Sequence, residues 1–139
     1  LIAKVIKFAQ NNQQQMKTTK IFYWILTAIV ALMMAFSCYS YLTKPEMAAA
    51  FHHLGFPDYF RIELAIAKLI GAVVLLAPVS ARLKEWAYAG FTIVFVSAFI
   101  AHTVSGDPVA NRIMPLVFLV ILGGSYFLYY KKQQLSAIK

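Results

Sequence analysis

IFYWILTAIVALMMAFSCYSY, residues 21–41, passes from Ile21 to Tyr41 without a single charged side chain. At about 1.5 Å of rise per residue, a helix of that length crosses a hydrocarbon core of roughly 30 Å. Three more apolar runs follow, Arg61–Val79, Trp86–Val104 and Ile113–Tyr130, separated by short polar joints. Lipid offers no hydrogen-bond partners, so each run must satisfy its own amides, and the alternation of barrel strands is absent. The expected fold class is therefore all-α: a four-transmembrane-helix bundle.

Composition agrees, with 61% of residues hydrophobic and 13% charged, against about 25% charged in soluble domains. Within 139 residues there is room for four helices and no separate soluble domain. Any site must be built from the helices and the longer connection between the first two.

The net charge of +8 points to membrane surfaces rather than nucleic acid because of where the cations fall. Lys4, Lys7, Lys17, Lys20, Arg82, Lys84, Lys131, Lys132 and Lys139 occupy the N-terminal segment, the second loop and the C-terminal tail. Those segments share one side of a four-span protein. The other side holds Lys44, Arg61 and Arg112, while Lys68 lies within a span. This bias places both termini in the cytoplasm of a bacterial inner membrane, with the basic tails facing anionic lipid. Phe22, Tyr23, Trp24, Trp86, Tyr88, Tyr129 and Tyr130 are expected at the inner interface, and Tyr39, Tyr41, Tyr59 and Phe60 at the outer.

Met16-Lys17-Thr18-Thr19-Lys20 resembles a natural start. Residues 1–15 are expected to be an N-terminal extension without function, discontinuous with the first span across Asn11-Asn12-Gln13-Gln14-Gln15, with a short amphipathic helix at Leu1–Ala9. Residues 16–139 form the membrane domain. A lipoprotein signal with cleavage before Cys38 fits poorly, since the apolar run exceeds the usual h-region and three spans follow it.

Cys38 is the sole cysteine, which excludes an intramolecular disulfide or a Cys-x-x-Cys redox pair. It reads as a small apolar residue. Adjacent His52 and His53 would diverge by about 100° on a helix, and His102 is the only other histidine; no metal site is expected.

The informative polar groups lie inside the spans. Arg61, Ala65, Lys68 and Ala72 form one stripe of the second helix, and Tyr59, Glu63, Ala67, Ile70 and Val74 form another. Opposed helix directions bring Glu63 and His102 to similar depth, with Lys68 ~7.5 Å deeper than Glu63. A lone ammonium in hydrocarbon costs about 2.5–3.5 kcal/mol on insertion scales. Lys68 can relieve that cost as an interhelical clamp with Glu63, a serine or a backbone carbonyl, as part of an outward-facing polar pocket, or by snorkelling outward. Pro45–Leu54 reads as a short interfacial helix, either a lid bringing His52 or His53 near Glu63 and His102, or a helix lying on lipid. Gly55 suits its C-cap, and Pro57 the first turn of the next helix. Ala28, Ala31, Ala35, Ala67, Gly71, Ala87, Gly90 and Gly123-Gly124-Ser125 offer small surfaces for close helix approach. Phe91, Phe95 and Phe99 either pack or line a hydrophobic slot. The candidate ligand-binding residues are Glu63, Lys68, His102, Arg61, His52, His53 and Tyr39; no catalytic residue is assigned.

His53-Leu54-Gly55-Phe56-Pro57-Asp58-Tyr59-Phe60-Arg61-Ile62-Glu63-Leu64-Ala65-Ile66-Ala67-Lys68-Leu69-Ile70-Gly71 is followed by Leu83-Lys84-Glu85-Trp86-Ala87-Tyr88-Ala89-Gly90-Phe91, Ala101-His102 and Gly106-Asp107-Pro108. Together these resemble the DoxX-like family of small four-helix membrane proteins, over about residues 16–132. The resemblance implies an inner-membrane protein from a group that includes subunits associated with thiosulfate:quinone oxidoreduction, members of oxidative-stress complexes and distant relatives that assist acetylcholine-receptor assembly. No single mechanism unites them, and the positions carried over are Glu63, Lys68 and His102. The lone cysteine argues against thiol redox chemistry.

Two functions compete. One is a non-catalytic accessory protein binding a hydrophobic or amphiphilic ligand, or a partner membrane protein, through the outward-facing pocket. The other is a membrane subunit of a quinone-linked oxidoreductase, with Lys68 or His102 on a quinone carbonyl and Glu63 relaying protons. Quinone and lipid are the ligands considered, and membrane lipids, a redox protein or further copies of the chain are the partners. A transporter would require an oligomer, since no repeated half with broken helices is visible.

Overall fold

The computed structural model describes residues 1–138; Lys139, counted above with the basic tail, lies outside them. Five helices follow in order: α1 (Ile2–Thr43), α2 (Glu46–His53), α3 (Asp58–Leu76), α4 (Ala81–Val104) and α5 (Val109–Ala137). No strand occurs among the described residues, and the protein is all-α. Helices α1, α4 and α5 are each long and apolar enough to cross a membrane. α3 has 19 residues but carries Asp58, Arg61, Glu63 and Lys68.

Local chemistry explains the boundaries. α1 continues unbroken through Asn11–Gln15, so the expected discontinuity does not occur. No glycine or proline precedes Pro45, and extending an existing helix avoids the cost of nucleating another. Burial begins at Met16 and Thr19, beyond that extension. α3 starts and stops three residues before the expected run. Pro57 is its N-cap rather than a first-turn residue, and Ala77 is extended ahead of Pro78, as the clash with a following proline ring requires. α4 starts five residues earlier than Trp86 because the Ser80 hydroxyl caps it, accepting from the Leu83 amide at 3.4 Å.

The helices form a ring in which α1 packs against α3 and α5, and α4 against α5 and α3, with no diagonal approach. Its core contains Tyr23, Val30 and Met34 from α1, Ala72 and Leu75 from α3, Tyr88, Phe91 and Phe95 from α4, and Leu122 and Tyr129 from α5. Tyr23, Tyr88 and Tyr129, expected in the inner aromatic belt, thus turn into the bundle, whereas Trp24 and Trp86 remain exposed. For Tyr88 the reason is a buried hydroxyl relay, in which Ser125 Oγ shares hydrogen bonds with Thr27 Oγ1 at 2.7 Å and with Tyr88 OH at 2.8 Å, while Tyr23 and Tyr129 pack ring against ring at 5.9 Å. The relay joins α1, α4 and α5 at one point.

Lys84 makes a second tie. The residue is 5% exposed, and its ammonium donates to the Leu75 carbonyl at 2.5 Å, meeting an orphan acceptor and the negative dipole end of α3.

Of the small residues, Gly71 and Gly124 lie against neighbours, Phe91 and Leu26 respectively, while Gly90 and Gly123 face open space. A Cβ on Gly71 would fall 2.6 Å from Phe91 Cζ. Gly71→Ala should therefore lower stability by about 1–3 kcal/mol through overpacking, whereas Gly90→Ala should give only the small propensity gain. Thermal unfolding of both variants in detergent checks this; an equal response would mean that the Phe91 ring yields freely.

Candidate functional site

On α3 the stripe of Arg61, Ala65, Lys68 and Ala72 faces the bundle, and Tyr59, Glu63 and Ala67 face out. Lys68 is 4% exposed. Its ammonium donates to Ser37 Oγ at 2.9 Å and Tyr41 OH at 2.8 Å, and lies 4.0 Å from the Tyr41 ring centroid. These acceptors are neutral. An ammonium has three donors, and two are engaged, so charge and one hydrogen-bonding direction remain available. Elsewhere on α1, the buried Ser40 Oγ has no hydrogen-bond partner among the described residues.

Tyr41 links this lysine to the outer end of the bundle. Its carbonyl accepts from Arg61 Nη1, while Arg61 Nε donates to Asp58 Oδ1 at 2.7 Å. Its ring meets Phe51 of α2 edge-on at 4.9 Å. Tyr39, the tyrosine expected at the pocket, is 61% exposed; a shift of two residues on a helix turns a side chain by about 200°. Tyr41 takes its place.

A second polar cluster joins α2 to the turn between α4 and α5. Asp107 Oδ1 meets His53 Nε2 at 2.7 Å and Asp107 Oδ2 meets His102 Nδ1 at 2.5 Å. Arg112 Nε donates to the Asp107 carbonyl at 2.6 Å. The turn itself explains the position. Gly106 adopts φ +72, its amide bonds the Thr103 carbonyl, and the Asp107 amide bonds the His102 carbonyl. This Schellman arrangement sets the residue after glycine beside the residue five earlier.

The structure thus divides the expected set. Lys68 and Arg61 meet at Tyr41, while His53 and His102 meet at Asp107. Glu63 is exposed and forms no ion pair among the described residues, so it is no partner for Lys68, and His52 is exposed. Sequence reasoning missed Ser37, Tyr41 and Asp107. For Ser37 and Tyr41 the signal was their i,i+4 spacing, and for Asp107 it was the glycine before it.

Beside Lys68 runs a groove of about 360 Å³ between α3 and α4. Its walls include Ile70, Val74, Leu83, Trp86 and Val94, with Phe91 behind them. Small Ala67, Gly71, Ala87 and Gly90 leave this space open. Phe91 and Phe95 stack at 6.4 Å and Phe95 meets Phe118 at 6.0 Å, so these rings pack in the core. No group of His, Cys, Asp and Glu suited to a metal occurs among the described residues.

The carboxyl of Asp107 is held below its ordinary value of 3.8, first by the hydrogen bond from His102 and then by that from His53. A depressed carboxyl contributes stability above its unfolded value and loses it as pH falls through the folded one. The contribution of Asp107 should be complete at neutral pH, decline below pH 3.8 and vanish in Asp107→Asn. Thermal unfolding of wild type and variant across the acid range tests it. Parallel acid profiles would show that the two histidines do not act on this carboxylate.

Curated proteins and solved structures gave no match. The family model described as DoxX-like family matches residues 25–125, the stretch that contains Lys68, both histidines of the outer cluster and Asp107. The chain, a membrane protein with several candidate spans, belongs to the DoxX-like family.

Proposed function

We propose that this chain is a non-catalytic accessory protein of the inner membrane that holds a hydrophobic or amphiphilic ligand, its acceptor group on Lys68 and its apolar part in the α3–α4 groove. The carrying observation is the buried Lys68 ammonium, held by neutral Ser37 and Tyr41 with one donor direction left. Apolar walls and a single positioned polar group are what such a pocket requires. This replaces a pocket centred on Glu63, which turns away.

A fourth span, α3, is supported by the way it is tied at both ends. Arg61 reaches the Tyr41 carbonyl at the end of α1, and the Leu75 carbonyl is met by Lys84 at the start of α4. With α1 and α4 crossing, α3 covers the same depth, and Lys68 faces protein rather than lipid. The ties of Phe51 to Tyr41 and of His53 to Asp107 support reading α2 as a short interfacial helix across the outer mouth. The basic segments put both termini in the cytoplasm.

A quinone carbonyl would suit the free Lys68 donor equally, which keeps the oxidoreductase-subunit reading as the second one. Proton relay by Glu63 gains no support from its outward position.

Single-cysteine labelling of intact cells, with Cys38 replaced, should modify positions 48 and 109 from outside and spare position 82. The reverse pattern would invert the topology. Native mass spectrometry of gently extracted protein should find a bound amphiphile that is lost in Lys68→Leu while the variant still inserts and folds. A variant that is merely more heat-stable, with ligand occupancy unchanged, would reduce Lys68 to a replaceable clamp.

A further inference from the structure

We infer that the inner ends of α1, α4 and α5 form a second binding site, for an anionic phosphate headgroup, built from Lys132, Lys84 and Lys20. It is separate from the Lys68 groove and does not depend on that reading.

Lys132 sits in a cage of rings. Its ammonium lies 4.2 Å from the Tyr23 centroid and 5.7 Å from those of Trp24 and Tyr129. Such contacts contribute about 0.5–2 kcal/mol and fix where the charge stands, but they leave its hydrogen-bond donors unused. No carboxylate pairs with it among the described residues. Lys84 spends one of three donors on the Leu75 carbonyl. Lys20 precedes Trp24, one of the rings under Lys132, by one helical turn, and Lys84 precedes by one turn Tyr88, whose ring lies 6.2 Å from that of Tyr129, so both lysines stand on the helix turns that flank the cage.

Among the described residues a single carboxylate at this end stands against that charge. Of the five acidic residues in the chain, Glu85 alone accompanies the inner cations, and it accepts the Tyr130 hydroxyl. Lys17, Arg82 and Lys131 add to the excess. Three ammonium groups on three helices suit a ligand with several acceptor oxygens and a full negative charge, and a phosphate has both. Between the inner ends of α1 and α5 a cleft of about 500 Å³ is lined by Met16, Lys17, Lys20 and Leu135; of the three lysines Lys20 borders it directly, and Leu135 lies one helical turn beyond Lys132, so the cleft adjoins the cage and can take the rest of the ligand. The cluster stands where the apolar runs end, at headgroup depth, and basic pockets between helices at that level select anionic lipids. A phospholipid is therefore the source, and soluble phosphate the alternative with the same chemistry.

Purified protein is titrated with phosphatidylglycerol, phosphatidylcholine and inorganic phosphate, and bound species are counted by native mass spectrometry. Phosphatidylglycerol should be retained in preference to phosphatidylcholine. Lys132→Gln and Lys20→Gln should each weaken retention ~5-fold, the equivalent of about 1 kcal/mol per lysine. Lys132→Arg should restore it, and Lys44→Gln, at the opposite end, should match wild type. Because Lys84→Gln also strips the cap from α3, it is read only alongside the Lys132 and Lys20 variants. Displacement of the lipid by inorganic phosphate would assign the site to soluble phosphate while keeping its chemistry. Equal retention of both lipids without phosphate binding, or undiminished retention in Lys132→Gln, overturns the proposal. Lys68→Leu should leave this binding intact, so failure at the Lys68 groove and failure here are distinguishable.

Discussion

Lys68 brings an ammonium group into a helix bundle that offers it no carboxylate, and much of the outer architecture answers that demand. Burying an unpaired charge is costly unless hydrogen bonds and polarizable groups take over from water. Ser37 and Tyr41 do so from α1, one turn apart, which fixes the rotational setting of α1 against α3. Because the Tyr41 carbonyl also receives Arg61 and its ring receives Phe51, the same residue sets the end of α3 and the seat of α2. The side chain that solves the lysine problem thereby organises the outer mouth.

The two outer turns solve their chain reversals in the same way with different chemistry. After α2, Gly55 adopts φ +84, its amide meets the His52 carbonyl, and the Phe56 amide meets the Phe51 carbonyl. The residues so apposed, Phe51 and Phe56, pack ring against ring at 6.2 Å, the apolar contact usual for this motif. After α4 the corresponding positions hold His102 and Asp107, and the contact becomes a charge-assisted hydrogen bond. Asp107 can then spend its other oxygen on His53. A local helix stop is converted into a tie between α2 and the α4–α5 turn, and Pro57 or Pro108 starts the next helix in each case.

The all-α class was readable from the runs beginning at Ile21 and Trp86, because hydrocarbon thickness imposes a length that sequence displays directly. The inward stripe of Arg61, Ala65, Lys68 and Ala72 was equally plain, since helical periodicity is a property of one segment. What escaped was set between segments. Choosing Tyr41 over Tyr39 requires knowing the rotation of α1 against α3, and recognising Ser125 as a hydroxyl relay requires knowing that Thr27 and Tyr88 meet it. Pairing Glu63 with Lys68 failed for a related reason: opposite charge suggests a partner, but five residues on a helix place the two side chains about 140° apart. The uninterrupted α1 was misjudged because Asn11–Gln15 is polar, and polarity does not stop a helix that meets no glycine or proline.

The two ends of the bundle differ in how charge is settled, and this bears on what each end can recognise. At the outer end Asp58 and Asp107 meet Arg61, His53 and His102 within the chain, so charges there are largely spent on holding the turns. At the opposite end Glu85 accepts the Tyr130 hydroxyl, and Lys20, Lys84 and Lys132 form no ion pair among the described residues. Desolvation sharpens the contrast, because Lys84 is buried and Lys132 is enclosed by rings. In membrane proteins generally, a surplus of cations beside the headgroups both biases helix orientation during insertion and acts afterwards as a field for anions. Between these ends, Lys68 turns its ammonium to Ser37 and Tyr41 of α1 while its side chain also borders the apolar α3–α4 groove, so one residue connects the polar tie to α1 with the space between α3 and α4.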